Sequence, residues 1–98
     1  MNTLDTYRHQ IDALDAALIR TLGERFELCR KIAEFKKEAF VPMMQPGRVE
    51  EVKRRCAELG AEHGVNPQLV VEMYTLIIGE SCRVEDEIIG TPEKQHAA

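Results

Sequence analysis

The sequence predicts an all-α chain of three helices, the first much longer than the other two. Three observations carry this expectation. Apolar residues recur at steps of three and four along most of the chain, the period of a helix with one buried face. No stretch alternates apolar and polar residues at the period of two that a half-buried strand requires. The four prolines, at 42, 46, 67 and 92, all fall between or beyond the periodic stretches.

The first helix is expected from Thr3 or Asp5, either of which can act as N-cap, to about Glu38. Arg8, Ile11, Asp15, Leu18, Leu22, Arg25, Cys29, Ile32 and Lys36 follow one another at alternating steps of three and four, so they share one stripe. Most of that stripe is apolar, as a buried seam should be. Arg8, Arg25 and Lys36 are long cations on it. A cation on a buried stripe costs several kcal/mol unless an anion meets it. The helix would be on the order of 50 Å long. A compact chain of this size has a radius of gyration of roughly 13 Å, so a partner subunit is the simplest cover for such a helix.

The connection runs from Ala39 to Gln45, and its apolar residues suggest that it packs on something. Pro42 blocks the helix and pushes Val41 toward an extended form. The second helix is expected from about Pro46 to Glu62, with Gln45 at the N-cap and Pro46 in the first turn. Val49, Val52, Cys56 and Leu59 form its apolar stripe. Gly64 is the expected C-terminal cap, and Asn66-Pro67 restarts the chain as cap and first helical residue. The third helix is expected from Pro67 to about Ile89, with Val70, Met73, Ile77, Val84 and Ile88 on its stripe. Ser81 and Glu85 adjoin that stripe, one turn apart. Gly90-Thr91-Pro92 stops the helix, and 93–98 reads as a frayed tail. The whole of 1–98 therefore reads as one helical domain with a core at about 4–89.

Composition narrows the function classes. The chain is 44% hydrophobic and 31% charged, which is globular and not disordered. A net charge of -4 argues against general nucleic-acid binding. No apolar run approaches the roughly 18 residues of a membrane span. The N-terminus has neither a basic start nor an apolar signal core, so a cytoplasmic location is the expectation. Cys29, Cys56 and Cys82 are widely spaced and match no metal-ligand pattern, so no metal is expected.

The cations point to a ligand. Arg25 and Lys36 lie roughly 16 Å apart along a helix axis, a span that two long side chains can bracket around a small anion. Arg8 lies roughly 25 Å from Arg25 and cannot share that ligand within one straight helix. An antiparallel partner could bring its own Arg8 across. The ligand would be a small dicarboxylate or polycarboxylate, because Arg grips carboxylates in bidentate fashion.

The ordered set Arg8-x-x-Ile11-x-x-Leu14-Asp15, Leu22-x-Glu24-Arg25, Lys36, Arg48 and Leu76-Ile77-Ile78-x-Glu80-Ser81 resembles the all-helical chorismate mutase family over about residues 4–89. The resemblance implies an intertwined antiparallel homodimer with two shared active sites and no cofactor. It implies a unimolecular Claisen rearrangement of chorismate to prephenate, for which the protein supplies no nucleophile. Arg25, and Arg8 from the partner, match the residues that hold the substrate carboxylates. Arg48 completes the cationic wall, Lys36 meets the breaking ether oxygen and a carboxylate, and Ser81 lies near the ring carboxylate. Glu85 matches a position that faces the ether oxygen, where only a protonated carboxyl can donate.

Three residues depart from the well-known bacterial pattern. Gln45 replaces an acid, Val49 replaces a Glu that meets the C4 hydroxyl, and Glu85 replaces a Gln. These leave the substrate open among chorismate, 4-amino-4-deoxychorismate and, in the isochorismate pyruvate lyase branch, isochorismate. A helical dimerisation or regulatory module that had lost the chemistry is the remaining alternative. The presence of both Arg25 and Lys36 weighs against it.

Overall fold

The computed structural model describes residues 2–43, 45 and 47–90. Three helices follow one another: α1 (Thr3–Ala39), α2 (Arg48–Glu62) and α3 (Pro67–Ile89). The N-cap of α1 is Asn2, not Thr3 or Asp5. Its Oδ1 accepts from the Asp5 backbone N–H at 2.8 Å. Asp5 instead sits in the first turn, where its carboxylate meets the positive end of the helix dipole. At the far end Phe40 turns left-handed at φ 56°, and Lys36 and Lys37 occupy the last turn.

α2 starts later than the sequence suggests. Gly47, at φ 82°, is its N-cap, and Arg48 is the first helical residue. Only glycine takes that left-handed conformation at little cost, which is why the helix begins behind it. Gln45 is therefore not the cap. Its Nε2 donates to the Pro42 carbonyl at 2.8 Å, and its own carbonyl accepts from Arg48 N–H at 3.1 Å. Pro46, expected in the first helical turn, lies outside the described residues, as do Thr91 and Pro92 of the expected stop and the expected tail at 93–98. The restart at Asn66-Pro67 forms as its residues dictate: Asn66 Oδ1 accepts from Gln68 N–H at 2.9 Å. Gly90 closes α3 by donating to the Asp86 carbonyl at 2.7 Å.

α3 packs against both other helices, and α1 and α2 do not pack on each other among the described residues. Cys29 and Ala33 from α1, Val52 from α2, and Val70 and Val84 from α3 are buried at these crossings. Among the described residues no large side chain is fully buried. The N-terminal half of the expected α1 stripe is not covered by its own chain: Ile11 and Leu18 remain more than half exposed, and Leu14 and Ile19 beside them are 69% and 66% exposed. On α2, Val52 is buried while Leu59, expected on the covered stripe, is 52% exposed, because the face turned to α3 at that level is the one presented by its neighbour Gly60, about 100° round the helix. On α3, Met73 is likewise more open than expected. The molecule measures 61 × 27 × 18 Å, with a radius of gyration of 17.6 Å against the roughly 13 Å of a compact chain this long. No helix of the described residues is long and apolar enough to cross a membrane.

α2 and α3 approach closely at Gly60. A Cβ there would stand 2.6 Å from Val70 Cγ2, a methyl of a stiff, buried, β-branched side chain. Alanine would gain about 1 kcal/mol of helix propensity over glycine but force the two helices apart. We expect Gly60→Ala to destabilise the protein by about 1–2 kcal/mol net, read by urea unfolding followed by circular dichroism. Val70→Ala should recover part of that loss when combined with it.

Candidate functional site

The end of α1, the connection and the middle of α3 enclose a cavity of about 320 Å³. Its charged lining is Arg25 and Lys36 from α1, Arg48 from α2 and Glu85 from α3. These converge because α1 carries its cations on the same face that α3 covers. Ser81 and Glu85, one turn apart, then stand opposite Arg25 and Lys36.

Arg25 Nη1 donates to Ser81 Oγ at 2.8 Å. Ser81 in turn donates to the Ile77 carbonyl at 2.9 Å, which commits its hydrogen and leaves its lone pairs for the arginine. Lys36 Nζ donates to Glu85 Oε1 at 2.9 Å and to the Met43 carbonyl at 2.7 Å. The side chains of Lys36 and Glu85 are 14% and 11% exposed, so this ion pair is largely out of water. An ammonium has three N–H donors. Two are engaged, and one remains for a ligand. Arg48 sits at the rim, pairing with Glu51 at 3.0 Å on the exposed side of α2. Val49 and Gln45 supply uncharged wall.

Seven of the eight expected site residues therefore line one cavity: Arg25, Lys36, Gln45, Arg48, Val49, Ser81 and Glu85. Arg8 does not. It is exposed near the start of α1, far from the cavity of its own chain. The structure gives Glu85 a role that its spacing did not suggest, since its carboxylate holds the Lys36 ammonium.

Tyr74, Cys29 and Cys82 were not anticipated. The Arg25 guanidinium lies over the Tyr74 ring, 5.6 Å from its centroid. Burial, then a hydrogen bond with the Cys56 thiol, pushes the Tyr74 hydroxyl above its usual pKa. Cys29 and Cys82 line the cavity. Burial raises the Cys82 thiol pKa, the Glu85 charge adds to this, and Lys36 opposes it. A thiol in that state is a poor nucleophile. Tyr74 shares one face of α3 with Ser81 and Glu85, at steps of seven and four, but that spacing alone does not separate it from ordinary packing.

The model of the chorismate mutase type II family matches residues 7–86. The chain belongs to this family. It is similar to the 4-amino-4-deoxychorismate mutase of Streptomyces venezuelae, with 46% identity over 88 residues, covering 90% of this chain and 85% of the relative. The 4-amino-4-deoxychorismate mutase of Streptomyces pristinaespiralis is 42% identical over 88 residues, covering 90% of this chain and 68% of that one. The bifunctional chorismate mutase/prephenate dehydratase of Aquifex aeolicus is 34% identical over 91 residues, covering 90% of this chain and 25% of the longer protein. The chain is thus a chorismate mutase-type isomerase.

The Lys36–Glu85 pair makes a direct prediction. Lys36→Met leaves a carboxylate with little access to water and no cation, so it should cost about 2–4 kcal/mol of stability. Adding Glu85→Leu to Lys36→Met should restore most of that loss, because no charge is then left unpaired. Urea unfolding at one fixed protein concentration measures both. Additive losses in the double variant would show that the two residues do not act as a pair.

Proposed function

We propose that this chorismate mutase-type enzyme rearranges 4-amino-4-deoxychorismate to 4-amino-4-deoxyprephenate. The observation that carries the substrate choice is the 46% and 42% identity to two mutases of that compound, across nearly the whole chain. The uncharged wall supports it. Val49 cannot accept a hydrogen bond from a C4 hydroxyl. Gln45 has its amide N–H₂ turned to Pro42, which leaves its oxygen as a neutral acceptor for an amine.

The reaction is unimolecular. The ether C–O bond breaks while a C–C bond forms, and negative charge develops on the ether oxygen. In this reading Arg25 holds one substrate carboxylate, with Ser81 beside it, and Arg48 closes the rim. Lys36 directs its remaining N–H at the ether oxygen and a carboxylate. Glu85, as the carboxylate paired with the Lys36 ammonium, fixes Lys36 in that direction. Preplaced charges of this kind stabilise developing charge without reorganising as the reaction proceeds. Holding both arms of the substrate selects the compact reactive conformer. No group in this scheme acts as nucleophile.

Arg8 enters through a homodimer. The uncovered apolar face of α1 and the elongated shape of the chain support an antiparallel, intertwined pair in which Arg8 of the partner subunit completes each site. A cytoplasmic location fits this reading.

Incubation of the purified protein with 4-amino-4-deoxychorismate, chorismate and isochorismate separately tests the substrate. We expect the amino compound to give the highest kcat/KM, with 4-amino-4-deoxyprephenate as product. Prephenate formed with the higher kcat/KM would overturn the substrate choice, and salicylate plus pyruvate would replace the reaction itself. Mixing Arg8→Ala subunits with Arg25→Ala subunits, each impaired as a homodimer, at a substrate concentration well below the KM of either variant tests the shared site. A heterodimer has one site with both arginines, so about half of the parental activity per heterodimer should return. No recovery after confirmed subunit exchange would rule the shared site out.

A further inference from the structure

We infer that Tyr74 is a positioning residue that sets the angle at which Arg25 meets the substrate. The inference rests on the reading that Arg25 binds a substrate carboxylate. Arg25 is fixed from two directions. Ser81 Oγ takes one N–H within the guanidinium plane at 2.8 Å. The guanidinium carbon lies over the Tyr74 ring, 5.6 Å from its centroid, within the roughly 6 Å at which a cation is attracted to an aromatic ring. A hydrogen bond at one N–H and a ring under the central carbon restrict how the group can turn. The remaining N–H donors keep a constant direction toward the cavity.

Tyr74 lies half-buried on α3 and Arg25 is on α1, so this contact joins the same two helices as the Arg25–Ser81 hydrogen bond. The ring should matter most to Arg25, and the hydroxyl less, because it is the ring that the guanidinium lies over.

An arginine that grips a carboxylate does so in the bound substrate and in the transition state alike. Loosening it should therefore raise KM and leave kcat nearly unchanged. Steady-state kinetics of Tyr74→Leu, Tyr74→Phe, Arg25→Ala and the double variant Arg25→Ala/Tyr74→Leu test this on the best substrate. Tyr74→Leu should raise KM about five- to tenfold with kcat within about twofold of the parent. Tyr74→Phe keeps the ring face and should stay within about twofold of the parent in both constants. In the Arg25→Ala background, Tyr74→Leu should have no further effect on kcat/KM. Tyr74→Met is a second ring-free variant that fills similar space flexibly, and it should match Tyr74→Leu. Thermal melts by circular dichroism accompany each protein, and Tyr74→Met replaces Tyr74→Leu should the latter not fold. A purely structural Tyr74 would lower the melting temperature and active fraction without raising KM, and that result overturns the inference. It also fails if Tyr74→Phe is as impaired as Tyr74→Leu, or if Tyr74→Leu is parental while Arg25→Ala is defective. If Arg25→Ala itself is parental, the role of Arg25 in substrate binding fails as well.

Discussion

The ion pair between Lys36 and Glu85 is the constraint on which the rest of the structure turns. A lysine ammonium with most of its side chain out of water costs several kcal/mol unless its charge is met. Here three separate parts of the chain meet at that one group: α1 supplies it, α3 supplies the carboxylate, and the connection supplies the Met43 carbonyl. The arrangement fixes how far α3 lies along α1 and how the chain returns toward α2. It also determines what the cavity can do. Cations alone would repel one another and drift toward solvent. Glu85 for Lys36 and Ser81 for Arg25 hold each cation in place before any ligand arrives. The cost of ordering these groups is met during folding, so it does not fall on the reaction.

The length of α1 has two consequences with a single origin. α3 covers only the part of α1 that carries Arg25 to Lys36. The part before it keeps Ile11, Leu14, Leu18 and Ile19 exposed and carries Arg8 out of reach of its own cavity. An apolar face that long is a stability problem for one chain of 98 residues, which buries no large side chain fully among its described residues. A second copy laid antiparallel along it would remove both difficulties together. Burial and completion of the site then become one requirement, and neither is met by a separate device.

Much of this was legible in the residues. The three helices follow from periodicity and punctuation, and Asn66-Pro67 forms the cap its chemistry calls for. Arg25, Lys36, Ser81 and Glu85 come together because cations on an apolar stripe need partners, and polar residues beside a facing stripe can supply them. What was not legible depended on local backbone choices or on exposure. Gln45 and Gly47 compete to begin α2, and the left-handed glycine wins because the chain must turn sharply there. Leu59 fits the period of its helix, but the face covered at that turn is the one Gly60 presents to Val70. Tyr74 was missed because an aromatic residue next to an apolar stripe looks like ordinary packing. Only the position of Arg25 over its ring distinguishes it.

The charges of the cavity bear on how an amino substrate would sit in it. The lining carries three cations, Arg25, Lys36 and Arg48, and one acid, Glu85. Within one chain this is an excess of two positive charges, against the two carboxylates of a chorismate-type substrate, and in the proposed dimer Arg8 of the partner subunit would add one more. An ammonium at C4 would then be a further positive charge with no anion left to meet it, near groups of like sign. Like charges nearby lower the pKa of an amine. On the proposed substrate the C4 nitrogen is therefore favoured in its neutral form, and a neutral amine asks for an acceptor rather than for an anion. The Gln45 carbonyl oxygen is such an acceptor, and Val49 beside it imposes no charge. An acid at either position would pair an ammonium, but it would also weaken the hold of the cations on the carboxylates. The C4 substituent takes no part in the bonds that break and form. In the proposed reading its recognition can thus be left to an uncharged wall, with the cations reserved for the carboxylates and the ether oxygen.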